Sequence, residues 1–406
     1  MRPYGVGMLR FAAANMCLFI GIYLCQAVAP LLARQMGGGA VLVGWVGTSF
    51  FLGTVVMRIP AGWLHDRFGR AGPLLGGAVL CALSAGLLAT ARTPLDLSLY
   101  RAGQGIGLAL FTTAVAPAVA AVAGQGRLTR ALSVFGISTN VAAAIGPAAG
   151  IALLSRVGPA PGFVAAAVAC GMAGVLAVGG SVGGGHLAAA PAAAPARAAA
   201  GAPTAAASPA PAPGERVAWP LMAAPLVAAG AFGVTYAVHA TFVPVIGAER
   251  AIPAFGLYYT TYAVAIVGVR LWAGRVGDRF GHVWMVVPGA ICGAAAWVLL
   301  GSATSLPALL AAAILYAVAG GAIHPACLAA LIARAPASRR GTASAAFYLA
   351  YDGGNAVGGP AVGAMIQAAS VPAALDLAAA VGLVGALAMA LPRARSLGRR
   401  RPGLGT

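Results

Sequence analysis

The chain has 406 residues, 61% of them hydrophobic and only 8% charged, with a mean hydropathy of +0.91. Soluble domains devote about a quarter of their residues to charge, so this composition cannot furnish a water-facing surface and excludes a soluble globular fold. All 25 basic residues are arginine, giving a formal charge of +18 against seven acids. They are spread over short segments beside apolar runs, which fits membrane topology and contact with anionic lipid and argues against a nucleic-acid partner.

Apolar runs of about 20 residues, long enough to cross a bilayer as helices, recur from end to end. Twelve spans are predicted, near 9–33, 41–63, 72–91, 95–120, 130–155, 160–182, 219–245, 253–274, 284–303, 306–333, 341–369 and 372–392. The expected fold is therefore an all-α polytopic membrane protein with twelve transmembrane helices in two six-helix bundles. The first span is too long for a signal-peptide core and has no convincing cleavage site, so it is kept as a helix. After span six, residues 183–218 are rich in alanine and proline and read as a mobile cytoplasmic linker. This divides the chain into an N-terminal bundle (1–182), the linker (183–218), a C-terminal bundle (219–392) and a basic tail (393–406). Arg34, Arg92, Arg156 and Arg250 fall on one side of this twelve-span arrangement and the other loop and terminal arginines on the opposite side. Arginine-rich short loops stay in the cytoplasm, so both termini are expected there, with the chain in the inner membrane. All six cysteines fall within spans without zinc or redox spacing and read as small apolar side chains.

Two internal matches relate the halves. Arg58-Ile59-Pro60-Ala61-Gly62-Trp63-Leu64-His65-Asp66-Arg67-Phe68-Gly69-Arg70 returns as Arg270-Leu271-Trp272-Ala273-Gly274-Arg275-Val276-Gly277-Asp278-Arg279-Phe280-Gly281-His282, at an offset of 270 − 58 = 212. Gly146-Pro147-Ala148-Ala149-Gly150 returns as Gly359-Pro360-Ala361-Val362-Gly363, at 359 − 146 = 213. Such duplication is the build of many secondary transporters.

These residues resemble the major facilitator superfamily over essentially the whole chain. Gly62, Asp66, Arg67, Gly69 and Arg70 look like the signature loop between spans two and three. Arg101-Ala102-Gly103-Gln104-Gly105-Ile106-Gly107 is similar to the span-four signature of proton-coupled members. Gly146, Pro147 and Gly150 look like the span-five signature of antiporters, and Thr241-Phe242-Val243-Pro244 and Tyr348-x-x-Tyr351-Asp352 look like the bacterial branch that exports drugs and metabolites. The second loop departs from the signature, with His282 where the first has Arg70. The resemblance implies that Arg101 tunes proton movement. Proton-coupled members often carry an acid in span one or four; here span one offers only Asn15 and Gln26, which shifts that role onto Asp352.

Of the seven carboxylates, Asp352 alone sits deep in a span, about 16 Å in at 1.5 Å per residue. A carboxylate withdrawn from water resists ionisation, which suits it to taking up and releasing a proton. The competing reading is an acid held permanently by hydroxyls or by an arginine. Arg101, near the outer end of span four, either snorkels to the interface or serves the role the resemblance implies. His239 and His324 titrate in a useful range but read equally as satisfied interhelical histidines. Tyr351, beside Asp352, shares a helix face with Tyr348, and Tyr259 shares one with Tyr262. Arg58 with Asp66, and Arg270 with Asp278, are expected as charge clusters at the cytoplasmic edge. Together with Gly62, Arg67, Arg70, Gly274 and Arg279 they would gate the two halves.

No nucleophile–base cluster, metal constellation or ATP-binding loop is present in the sequence, so neither an enzyme nor a cofactor is expected and the energy source should be an ion gradient. The expected function is proton-coupled export of a small organic solute by a single chain in the bilayer. The alternatives are an importer or facilitator on the same fold and, more remotely, a non-transporting sensor or membrane enzyme. A neutral or cationic solute is easier to accommodate than a polyanion.

Overall fold

The computed structural model describes residues 6–69, 71–123, 128–182, 219–336 and 339–398, and every regular element among them is helical. In chain order these are α1 (Val6–Gln35), α2 (Ala40–Phe68), α3 (Ala71–Leu88), α4 (Pro94–Ala123), α5 (Leu128–Val157) and α6 (Pro159–Val182). After the Ala/Pro-rich stretch, which lies outside the described residues, come α7 (Trp219–Ala237), a π turn (Val238–Phe242) and α8 (Val243–Glu249), which together make one span. Then follow α9 (Leu257–Phe280), α10 (Val283–Ser302), α11 (Leu306–Arg334), α12 (Arg340–Ala368) and α13 (Val371–Gly398). The last helix thus runs beyond the predicted span end at 392 into the basic segment. Among the described residues nine spans are long and apolar enough to cross a membrane on composition alone. The other three full-length helices, α4, α9 and α12, carry Arg101, Arg270 and Asp352.

The helices alternate in direction, which puts Val6 and Gly398 on one face, here the terminal face, and the α1–α2, α8–α9 and α12–α13 turns on the opposite face. In the first half α1 packs on α5 and α6, and α3 and α2 both pack on α4. In the second half α7 packs on α12, α13 and α11, while α10 lies against α11 and α13. The halves meet along two related seams, α2 against α12 and α5 against α9. At the offset of 212, α2 corresponds to α9 and α5 to α12, so each seam is the image of the other. The repeated peptides sit on the four helices that form them.

Glycine makes these approaches possible, because a lipid environment gives apolar helices no hydrophobic reason to associate and close backbone packing supplies the attraction instead. A Cβ at Gly105 would run into the carbonyl of Phe50, and one at Gly53 into that of Ala102, so α2 and α4 are in backbone contact. Across the seam Gly44 and Gly359 face each other, and Gly363 lies on Ala40. Gly146 sits against Tyr23 of α1, with 2.6 Å to a would-be Cβ, and Gly150 against the Leu24 carbonyl at 2.8 Å. The α12 residue that plays the part of Gly146 is Gly358, which lies on Val234 and Ala237 of α7. Packing therefore follows the 212 register. The Gly-Pro match at 213 is displaced by one residue, and that displacement turns Gly359 and Gly363 toward α2 instead.

The seams close toward the opposite face. Thr260 Oγ1 donates to the Ala144 carbonyl at 3.0 Å, Gly256 lies on Ile151, and Arg34 Nε donates to Glu249 Oε1 at 2.5 Å. With its two side chains 48% and 40% exposed, this last pair contributes within ~1 kcal/mol and acts as a latch of low strength. Toward the terminal face the described seam residues loosen: Ile59 and Trp63 are exposed, and a Cβ at Gly62 or Gly136 would meet nothing within 4 Å. Gly105→Val is expected to lower thermal stability in detergent by about 1–3 kcal/mol, as overpacking of a tight contact does, while Gly136→Ala changes it little. Unfolding followed by intrinsic fluorescence separates the two.

Candidate functional site

The cost of removing charge from water makes Asp352 the natural starting point, since a mid-span carboxylate needs a partner. Its partner is Arg58 of the other half, whose Nη2 donates to Asp352 Oδ2 at 2.6 Å, with side chains 20% and 7% exposed. Arg58 is placed here and not beside Asp66. Ten residues separate it from the end of α2, so it lies about 15 Å inside, two turns deeper than Asp66. The Arg58 guanidinium also rests over the Tyr348 ring at 5.1 Å, which screens the pair from lipid.

The related seam carries the related contact. Arg270 corresponds to Arg58, and Asn140 corresponds to Asp352 (352 − 140 = 212). Arg270 Nη1 donates to Asn140 Oδ1 at 3.2 Å. Arginine on carboxylate in one seam thus faces arginine on carboxamide in the other. The offset arithmetic was available in the sequence; only the contact reveals its meaning.

A column of rings joins the seams to the core of the second half. Tyr351 stacks on Phe232 and approaches Tyr236, each at 5.8 Å between centroids, and meets His324 edge-on at 5.3 Å. His324 also lies against Phe347 at 4.8 Å. His239 is ringed by Tyr236, Tyr258, Tyr259, Tyr262 and Tyr316 at 4.3–5.5 Å, and its Nδ1 lies 3.2 Å from the Tyr258 hydroxyl. The local backbone explains this crowding. Val243 N–H reaches back to the Val238 carbonyl, and the next residue, Pro244, has no N–H to offer. The His239 carbonyl is left without an in-helix donor, and the Tyr259 hydroxyl donates to it at 3.1 Å. His239 is thereby a satisfied interhelical histidine on a π turn that bulges toward α1 and α2. Phe51 of α2 meets Tyr236 edge-on at 6.3 Å between centroids, tying this column to the first half.

Arg101 does not snorkel. It is 1% exposed, its Nη1 donates to Gln104 Oε1 at 2.5 Å, and its guanidinium lies 4.6 Å from the Phe50 ring centroid. Gln104 in turn donates to Cys25 Sγ at 3.3 Å, while Arg101 Nε and Nη2 are buried without a partner. The glycines around it divide the work of packing: Gly103 and Gly107 admit α3, and Gly105 admits α2.

The remaining gating residues are less informative. Arg67 is exposed over Trp63 and Phe68, and Arg279 is exposed near the end of α9. Arg70 and the side chains of Asp66, Gly274 and Asp278 lie outside the described residues. A small apolar crevice lined by Phe232, Thr235, Trp297 and Tyr316 lies within the second half, between α7, α10, α11 and α13, away from both seams. Among the described residues no group of three His, Cys, Asp or Glu is placed to hold a metal ion. The sequence reading passed over Tyr236, Tyr316, Phe50 and Gln104 because apolar and amide side chains carry no charge signal; the aromatic spacing of α9 and the span-four signature were the only pointers to them.

Arg58→Ala would strand a buried carboxylate and is expected to cost about 3 kcal/mol. Combined with Asp352→Ala the loss should be smaller than the sum of the single losses, and a thermal-unfolding double-mutant cycle reads that coupling.

The profile of the Major Facilitator Superfamily matches residues 11–254 and 225–405. Over 157 residues the chain is 28% identical to a multidrug resistance protein B homolog of Mycobacterium tuberculosis, covering 38% of this chain and 29% of that one. Over 164 residues it is 29% identical to the multidrug efflux protein YfmO of Bacillus subtilis, covering 40% of each. These alignments span less than half the length of either relative. Among solved structures, a peptide transporter POT in complex with sulfate superposes with a TM-score of 0.80 at 16% identity, over 98% of this chain and 96% of that one. A bacterial homolog of the human lysosomal transporter Spinster, inward-facing and occupied, gives 0.74 at 15% over the whole of both chains. At such identities the superpositions speak for the fold alone. Matched over nearly its full length, the chain belongs to the Major Facilitator Superfamily.

Proposed function

We propose that this transporter exports a small organic solute in exchange for protons, by rocking of its two halves about the paired seams. The observation that carries this reading is the Arg58–Asp352 pair, an ionisable bond between the halves at mid-depth. The terminal face is taken as cytoplasmic, so the arrangement with its opposite face closed is the inward-open one. Here Asp352 is ionised and held by Arg58. Once the molecule opens outward, a proton from outside neutralises Asp352, the bond to Arg58 weakens, and the halves rock back to release the proton inside. The solute travels the other way, through the space between the seams. Drug-efflux relatives support the outward direction, and the Gly146, Pro147 and Gly150 signature supports exchange.

The test uses inverted membrane vesicles with an acid interior, a pH-sensitive dye and a panel of candidate solutes. A solute is expected to collapse the gradient with the wild-type chain and to leave it intact with Asp352→Asn. Equal responses from both proteins would remove Asp352 from the coupling mechanism.

A further inference from the structure

The paired seams hold unequal charge. Arg58 is neutralised by Asp352, but Arg270, at the equivalent position, has among the described residues a neutral carboxamide from Asn140 and no carboxylate. The other six acids cannot balance it from within the bilayer. Asp66 and Asp278 lie in the last turns of their helices, Asp96, Glu249 and Asp376 belong to opposite-face helix ends, and Glu215 is in the segment between the halves. An arginine in mid-membrane without a counter-charge is costly, by roughly 3 kcal/mol on insertion scales, and is retained where it faces water and does work.

Arg270 is exposed. Its Nη1 bond to Asn140 of α5 carries its guanidinium onto the first half. It therefore points into the space where both halves converge. Tyr23 lies against Gly146 of α5 and Tyr236 against Tyr351 of α12, so rings of both halves flank this meeting place. The rings of Tyr23, Tyr236 and Tyr351 are half-buried there and offer flat faces to an occupant.

We infer that Arg270, with Asn140, receives the carboxylate of the transported solute, and that this solute is an aromatic monocarboxylate whose ring lies among Tyr23, Tyr236 and Tyr351. The inference rests on the transport reading above and names its substrate class. The solute's carboxylate completes in the α5–α9 seam the ion pair that Asp352 supplies in the α2–α12 seam. A bidentate guanidinium–carboxylate contact is the strong form of such a bond, and arginine is the side chain suited to it. The charge balance also favours export. Moving one monoanion out against one proton in carries two charges down an inside-negative potential, at about 2.3 kcal/mol per charge per 100 mV.

Three probes that differ in charge alone decide the matter: 2-naphthoate, 2-naphthamide and 2-naphthylmethylammonium, titrated calorimetrically into the full chain in nanodiscs without any gradient. Wild type is expected to bind naphthoate at least about tenfold more tightly than either isostere. Arg270→Gln should abolish that preference, weakening naphthoate binding far more than naphthamide binding. Asn140→Asp, which supplies the counter-charge that the first seam already has, should abolish it too without loss of thermal stability. Equal binding of the three probes, a preference for the ammonium, no binding of any probe, or a naphthoate preference surviving in Arg270→Gln would each overturn the inference. Because no gradient is present, these outcomes are independent of whether protons are exchanged in the vesicle assay. A preference for the ammonium alongside intact gradient collapse would sink the substrate class and leave proton-coupled export standing.

Discussion

A charged side chain in the middle of a bilayer must be matched, and nearly everything that distinguishes this molecule follows from how its few internal charges are matched. Among the described residues Asp352 pairs with no cation of its own half. It finds Arg58 across the seam at 2.6 Å, so the most demanding electrostatic requirement in the protein can be met only when the halves are in register. A bond of this kind, between two bodies that otherwise meet through small residues, is strong enough to set a preferred arrangement.

The surrounding structure is arranged so that little else resists motion. Glycine-to-backbone contacts such as Gly44 on Gly359 and Gly363 on Ala40 close the opposite face by shape, with little side-chain interlocking to undo. The Arg34–Glu249 pair there is half in solvent and weak. Within each half the situation is reversed. The α2–α4 contact at Gly53 and Gly105 and the α7–α12 contact at Gly230, Gly233, Gly354 and Gly358 are backbone-close, and Arg101 is sealed among Gln104, Phe50 and the small residues of α4. Rigid halves joined by labile seams are what alternating exposure of a central site requires.

Duplication supplies two copies of each seam, and divergence has made them chemically different. Carboxylate in one and carboxamide in the other leave a net positive charge in the shared space, among tyrosines that tolerate many flat partners. The π turn at Val238–Phe242 breaks the symmetry in a second way. Pro244 denies the helix a donor, and the vacancy draws Tyr259 onto the His239 carbonyl, which locks the backbone there into packing against α9. Its neighbour in the site, His324, has no such lock and stays against Phe347 and Tyr351.

The sequence by itself determined the fold class, because hydropathy and length leave a bilayer-spanning chain no option but helices, and the repeat at 212 fixed which helices correspond. It also singled out Asp352, since a lone carboxylate deep in an apolar run is conspicuous without any structure. What it misjudged was depth and partner. Arg58 read as an edge residue grouped with Asp66, and for Arg101 snorkelling stood open beside the role the resemblance implies, because hydropathy locates a residue along its own helix but says nothing of which neighbour it faces. The one-residue difference between the 212 and 213 matches, the pairing of Arg270 with Asn140 and the ring column around Tyr351 were decided only by tertiary packing. Each depends on the rotation of one helix against another, and that rotation is set by where glycine lets two backbones touch.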